Sequence, residues 1–317
     1  MYDSLVLKLR NAEAPDADFI GETARCLEIT GKHDFGSGLI LSGTLDEELK
    51  VTASRNGVKI GGSLCKWYLG DNFQSLERKD TQKAIEKLSA IFNLPIDKAT
   101  VSRIDVAQNY IVKKPTDIYL NHLGSLKHSG RAPVTNSMGT IETLYFYQSN
   151  GLLVFYDKIK EQKAKRRPIP EPYQDRHVLR YEQRHTKRLP KCFNVESVTA
   201  SMLYNEKFYI DILNRYKSNY FAIKKINDIT LDFEAMTGKK DLYTMGVLTL
   251  VEKIGGELAM AAQIKEAYKS GKLSKKAAFD IRQAVVDACK ERSGLTVKND
   301  CIIELDKKVR DAIKFYR

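Results

Sequence analysis

Long hydrophobic runs are missing from this 317-residue chain. No stretch approaches the roughly 18 consecutive apolar residues that would cross a bilayer, so a membrane-embedded protein is not expected. The opening MYDSLVLKLRNAEAPD has no apolar core or small-residue cleavage site of the kind a secretory leader needs, which points to a cytoplasmic location. Cysteine is scarce and scattered: Cys26, Cys65, Cys192, Cys289 and Cys301 form no C-x-x-C pair, and no histidine stands at zinc-finger spacing. Neither a disulfide framework nor a structural zinc is expected. With 8 prolines and 19 glycines, collagen-like and low-complexity chains are also excluded.

What is present is a folded composition, 43% hydrophobic and 29% charged, long enough for two ordinary domains. The charge balance is basic: 52 Lys and Arg against 40 Asp and Glu give +12. Between Lys158 and Lys191 twelve Lys or Arg stand against four acids, so this segment alone carries 12 − 4 = +8. Interleaved with tyrosines, it has the mixture that neutralises phosphates and stacks bases.

The first 65 residues carry short alternating or β-branched segments, SLVLKLR, GLILSG, ELKVTAS and VKIGGS, which read as a strand meander. DTQKAIEKLSAIFNL puts Ala84, Ile85, Leu88, Ile91 and Phe92 on one helical face. Strands follow at ATVSRIDVAQNYIV, IETLYFYQ, GLLVFYDK and RHVLRYEQRH, with a short helix opened by Pro115 after the first. Ser149, Asn150 and Gly151 form a hairpin turn, expected because Asn and Gly tolerate positive φ. From residue 194 to Phe221 the pattern predicts one long amphipathic helix, and further helices lie between Asp241 and Arg292. The expected fold is α+β: a domain with a central, mostly antiparallel sheet and packed helices over 1–220, then a helical domain over 221–317. The boundary falls near 221–240.

Three carboxylates sit on predicted strands: Asp105, Glu142 and Glu182. Acids are poor strand formers and need partners on a sheet face. One partner is a hard divalent cation, Mg²⁺ or Mn²⁺, which takes oxygen ligands and acts on phosphates. The other is arginine: Arg103 stands beside Asp105, and Arg180, Glu182 and Arg184 share one strand face, as an ion-pair ladder or an acid-lined phosphate site. Asp157 and Glu161 are second-tier acids, and His185 is a further ligand candidate or a plain surface histidine.

Taken in order, SRIDVAQN, LLVFYDKIKE and LRYEQRHTKRLPKCFN resemble the motifs of the filamentous-phage replication initiators of the gene II and gene X type. They also resemble the trans-acting Rep plasmid initiators, with their R-x-D, Y-[DN]-K and R-x-E strands. The opening MYDSLVLKL and the Ser63, Lys66, Gly70, Asn72 spacing of GSLCKWYLGDNF agree with the phage proteins. The likeness covers roughly residues 1 to 210.

The resemblance implies an enzyme that nicks one strand of an origin through a tyrosine, leaving a 5′ phosphotyrosine and a free 3′ hydroxyl, with a divalent metal as cofactor. It implies Asp105 and Glu182 as metal ligands with Glu142 third. Lys158 then orients the phosphate or lowers the tyrosine pKa. Arg103, Lys66, Arg180, Arg184, Lys187 and Arg188 are the expected DNA contacts. A host helicase and polymerase are the implied partners, and a homodimer is open. The His-hydrophobic-His pair of many related nicking enzymes is absent.

For the nucleophile, Tyr209, Tyr216 and Tyr220 share a helical stripe with Val195, Val198, Met202 and Leu213, which assigns them to a packed face. Tyr204 lies about 200° from Met202 on that wheel, available to a cleft, and is the preferred nucleophile. In the C-terminal part, Ser274 can cap a basic helix carrying Lys275, Lys276, Arg282 and Lys290, a helix-turn-helix candidate for origin recognition or a plain packing helix. A non-enzymatic origin-binding regulator and a mobilisation relaxase remain the alternatives, with a metal-free tyrosine recombinase behind them.

Overall fold

A computed structural model of the chain describes residues 1–36, 38–226, 228–229, 238–290, 296–297 and 299–317. Ten strands form one sheet: β1 (Tyr2–Arg10), β2 (Glu28–Phe35), β3 (Gly38–Leu45), β4 (Leu49–Ser54), β5 (Gly57–Ser63), β6 (Thr100–Val112), β7 (Gly130–Thr135), β8 (Ile141–Gln148), β9 (Gly151–Asp157) and β10 (His177–His185). Their order is β2-β3-β4-β5-β1-β6-β10-β9-β8-β7, and each pairing is antiparallel. Two meanders thus meet at the centre, where β6 and β10 lie side by side in full register from Val112 opposite His177 to Ile104 opposite His185. One face of β6 buries Ile104, Val106, Tyr110 and Val112, whereas the other carries Arg103, Asp105 and Asn109.

The short helices α1 (Phe19–Ala24) and α2 (Leu64–Leu69) flank the first meander, and α3 (Arg78–Phe92) follows with Ala84, Ile85, Leu88 and Phe92 buried. It stops at Asn93, whose left-handed φ of 48° ends the helix. Next come α4 (Thr116–Asn121), α5 (Lys158–Ala164) and α6 (Leu189–Phe193).

The expected long helix is split. Residues Ala200–Tyr204 form a tight 3-10 turn and α7 runs from Glu206 to Ala222. Asn205 divides them, because its side chain accepts the Phe208 N–H at 3.2 Å and caps α7. The α7 face is aromatic as the periodicity predicts: Tyr209, Tyr216 and Tyr220 are buried. Tyr216 lies over Tyr181 of β10, ring centres 4.2 Å apart, and Tyr181 stacks on Phe155 of β9 at 4.4 Å.

The β8–β9 hairpin forms where expected, but for another reason. Neither Asn150 nor Gly151 adopts a positive φ; a Cβ on Gly151 would sit 1.9 Å from the Arg184 carbonyl oxygen, so only glycine lets β9 start this close to β10.

Helices α8 (Lys239–Ile254), α9 (Glu257–Lys269) and α10 (Lys275–Lys290) pack among themselves around Val251, Met260, Ile264 and Val285. The Ser274 hydroxyl caps α10, accepting the Ala277 N–H at 3.1 Å. The last helix, α11 (Asp300–Tyr316), returns to the first core, where Ile302, Leu305, Val309 and Ile313 are buried with the sheet and α7. The Tyr220 hydroxyl donates to Asp306 of α11 at 2.9 Å. Of the expected 221–240 boundary, residues 227 and 230–237 lie outside the described residues. Among the described residues no helix is long and apolar enough to cross a membrane.

Candidate active site

Alternation along β10 sends Tyr181 to the α7 side and Arg180, Glu182 and Arg184 to the other face. Register then decides their company. Arg180 stands opposite Asn109 and Arg184 opposite Asp105 on β6, while Tyr156 of β9 faces Arg180 from the other flank. Residues distant in sequence become one polar cluster because β10 is sandwiched between β6 and β9.

The cluster is a ladder of alternating charge. Arg180 Nη2 donates to Asp3 Oδ2 at 2.6 Å and its Nε to Glu182 Oε1 at 2.7 Å. Arg184 Nη2 donates to Glu182 Oε2 at 2.6 Å, and its Nε lies 3.9 Å from Asp105 Oδ2. Arg103 closes the row with two hydrogen bonds to Asp105, at 2.8 and 2.5 Å. Ser63 donates to Asp3 at 2.6 Å. The Tyr156 hydroxyl donates to Glu182 Oε1 at 2.7 Å. Burial alone would raise the Glu182 carboxyl, but Arg180 and Arg184 outweigh it and hold it well below the usual carboxylate range. For Asp105 burial prevails over Arg103 and Arg184, and its pKa rises. Tyr156 is pushed well above 10 by burial, with the Glu182 charge adding to the rise.

Lys158 opens α5 from the end of β9 and is wholly buried. Its ammonium donates to Asn72 Oδ1 at 2.9 Å and Glu161 Oε2 at 2.8 Å, beside the Phe73 ring. Burial, with Arg180 nearby, lowers its pKa. The Ser63–Asn72 segment matters here: Asn72 is the hinge between Lys158, Asn109 and Arg180, whose Nη1 donates to the Asn72 carbonyl at 2.9 Å. Between α5 and the sheet lies a cavity of about 340 Å³ walled by Tyr156, Tyr145, Glu142, Lys160 and Arg184.

Several expectations change. Glu142 does not join Asp105 and Glu182; it pairs with Lys160 at 3.2 Å at the cavity rim. Arg180 is 1% exposed, with its donors committed to Asp3, Glu182, Asn72 and Asn109, so it braces the acids and presents no open cation to the surface. Arg103 and Arg184 keep 39% and 30% of their side chains exposed and can reach a phosphate. Lys187 and Arg188 are exposed just past β10, where the Lys187 N–H is held by the Asn150 carbonyl at the hairpin tip. Lys66 is half-buried in α2.

Tyr204 is partly exposed but lies in the turn against α3, where the Arg78 guanidinium reaches its carbonyl; burial and the charges of Asp97 and Glu86 raise its pKa. The tyrosine placed on the acidic cluster is Tyr156, which lies outside the helical stripe and turn that hold Tyr204, Tyr209, Tyr216 and Tyr220. Its signal was the tyrosine of the Y-D-K strand itself.

A divalent cation does not fit this arrangement. Three carboxylates (Asp3, Asp105, Glu182) already face three guanidiniums (Arg103, Arg180, Arg184), and both Glu182 oxygens are occupied. Among the described residues no group of three or more His, Cys, Asp or Glu is placed to hold a metal. His185 lies on the α7 side against Phe193, ring centres 5.2 Å apart, and is no ligand of this cluster.

The cluster lies within the part of the chain that a known family describes. No curated protein matches the chain, whereas the Phage_CRI family model, which describes the N-terminal region of a replication-associated protein, matches residues 1–206. That span holds the whole ladder, Lys158 and Tyr156. The chain therefore belongs to the Phage_CRI family of replication-associated proteins.

Proposed function

We propose that this chain is a rolling-circle replication initiator that cuts and rejoins one origin strand, with Tyr156 as the nucleophile. The observation that carries this reading is the 2.7 Å hydrogen bond from the Tyr156 hydroxyl to Glu182, inside an arginine cluster open to a cavity. The phenol oxygen attacks the scissile phosphorus while its proton passes to Glu182 Oε1. The bond from phosphorus to the 3′ oxygen breaks, and that oxygen leaves, taking a proton from solvent. The phosphate stays on Tyr156 as a 5′ phosphotyrosine, and the reverse transfer rejoins the strand.

In the resting site Arg180 and Arg184 make Glu182 a weak base, so the transfer depends on the arriving phosphate. An arriving phosphate draws the exposed Arg184 away from Glu182, so the carboxylate loses a stabilising cation and becomes a better base. Arg184 and Arg103 then face the charge that develops on the phosphoryl oxygens. Buried Lys158 holds Asn72 and Glu161, which keeps the base of the cavity in shape. Unwinding and synthesis from the freed 3′ end would fall to a host helicase and polymerase.

The test is a single-stranded origin oligonucleotide incubated with the chain, followed by mass spectrometry of the DNA-linked peptide. A covalent adduct on Tyr156 is expected, absent in Tyr156→Phe and retained in Tyr204→Phe. An adduct on Tyr204 would transfer the role to that residue, and salt-sensitive binding without any adduct would make the chain a regulator. A chelator arm, EDTA against added Mn²⁺, tests the metal requirement that the resemblance implies. A requirement would mean that Arg103 and Arg184 yield Asp105 and Glu182 to the ion.

A further inference from the structure

The face that carries Glu182 and Tyr156 continues past the cavity onto β9, β8 and β7. Register places Glu182, Val154, Tyr145 and Ala132 in one row across four strands, and Arg184, Leu152, Tyr147 and Gly130 in the next. At about 4.8 Å per strand, Tyr145 stands roughly 10 Å from Glu182. Its ring and that of Tyr147 are stacked, centres 5.7 Å apart and planes within 14°. The neighbours on β7 are Gly130 and Ala132, too small to cover the rings. Tyr147 is 53% exposed and Val134, on the same face, 50%.

Cations stand near the rings: Lys160 and Lys165 rim the cavity between Tyr145 and Tyr156, and Arg184 lies at its wall. The acids there are paired within the chain, Glu142 with Lys160, Glu161 with Lys158 and Lys165, and Asp157 with Thr116 and the Lys160 N–H, so a phosphate would compete with Glu142 and Glu161 for the half-exposed Lys160 and Lys165. Open aromatic faces beside a cationic rim are what unpaired bases use, each base stacking while its phosphate meets a cation.

We propose that Tyr145 and Tyr147 form a base-stacking platform for the single DNA strand whose phosphate lies at Tyr156, a proposal that rests on the nicking reading above. Stacking is indifferent to base identity, so the platform would hold the strand without choosing the sequence.

The test uses oligothymidylate carrying a single 2-aminopurine, walked along the strand, with the full chain in the Tyr156→Phe background so that no cutting intervenes. Binding by anisotropy should weaken about 5-fold or more in Tyr147→Ala and up to about 150-fold in Tyr145→Ala/Tyr147→Ala, the range that base–aromatic stacking provides. Quenching of 2-aminopurine at one or two positions should vanish with it, and Tyr147→Phe should restore both. Because Tyr147 is half exposed, its loss should leave the melting temperature nearly unchanged.

Unchanged affinity and unchanged quenching would overturn the platform whatever the adduct assay gives. So would a dimer that Val134→Lys dissociates while DNA binding persists, since the face would then belong to a second copy. Weakened binding in Tyr147→Ala, together with a wild-type chain that forms no adduct, would retain the platform and remove the nuclease.

Discussion

The Tyr156 hydroxyl and the Arg180 guanidinium converge on one oxygen of Glu182, both at 2.7 Å. That shared acceptor couples the proposed nucleophile to the buried ladder. A double-mutant cycle of Tyr156→Phe and Glu182→Gln, followed by urea unfolding, should show a coupling of about 1–3 kcal/mol, as hydrogen bonds to a charged group do. Additive effects would mean that the bond contributes nothing to the resting protein.

Arg180 holds the ladder together. Arg180→Met leaves Asp3 and Glu182 buried without their common cation and should cost about 3–5 kcal/mol. Arg180→Lys keeps the charge but cannot serve Asp3, Glu182, Asn72 and Asn109 together, and should fall between wild type and Arg180→Met. Equal stability of all three by chemical denaturation would contradict the ladder as a structural element.

Burial of His185 should make folding pH-dependent. Burial, with Arg215 adding to it, lowers its pKa from 6.5 to about 4. The unfolded chain therefore binds the proton first as pH falls. Stability from this group is complete above pH 6.5 and is lost as pH drops toward 4. At about 1.36 kcal/mol per pH unit the loss amounts to at most roughly 3 kcal/mol. His185→Phe should flatten the stability profile over that window; an unchanged slope would refute the assignment.

Gly151→Ala would force its Cβ into the Arg184 carbonyl, which belongs to the strand that carries the site. Backbone must shift, so a loss of about 3 kcal/mol or more is expected, with the DNA affinity of Arg184 falling too. Circular dichroism melts against wild type check this, and a wild-type melting curve would show that the hairpin relaxes freely.

Much of this was legible in the residues. The alternation of β1, β6, β8, β9 and β10, the buried face of α3 and the packed stripe of Tyr209, Tyr216 and Tyr220 all follow from periodicity. So did the placing of Arg180, Glu182 and Arg184 on one face, as an ion-pair ladder or an acid-lined phosphate site. The strands β2 and β7 escaped notice because their sequences, EITGKHDF and GRAPVT, lack a clean apolar alternation, as suits strands at the two edges of the sheet. The sequence marks Tyr156 only as the tyrosine of the Y-D-K strand; its company comes from register, because β9 must pair with β10 before its hydroxyl meets Glu182. The break in the long helix beside Tyr204 had a readable signal, since Asn205 followed by Glu206 is a good helix start. Cross-strand partners set the site, and pairings between segments far apart in sequence leave no local periodicity.

The return of α11 to the first core gives the helical segment an unusual standing. The chain leaves that core after Ile223 and re-enters at Cys301, so α8–α10 is an excursion anchored at both ends to one body of packed side chains. A truncation after residue 220 would strip away Ile302, Leu305 and Val309 and expose Tyr220, whereas replacing the excursion by a short linker would spare them. Whatever α8–α10 bind, the pull would reach α7 and α11 together, on the side of the sheet opposite the proposed DNA strand.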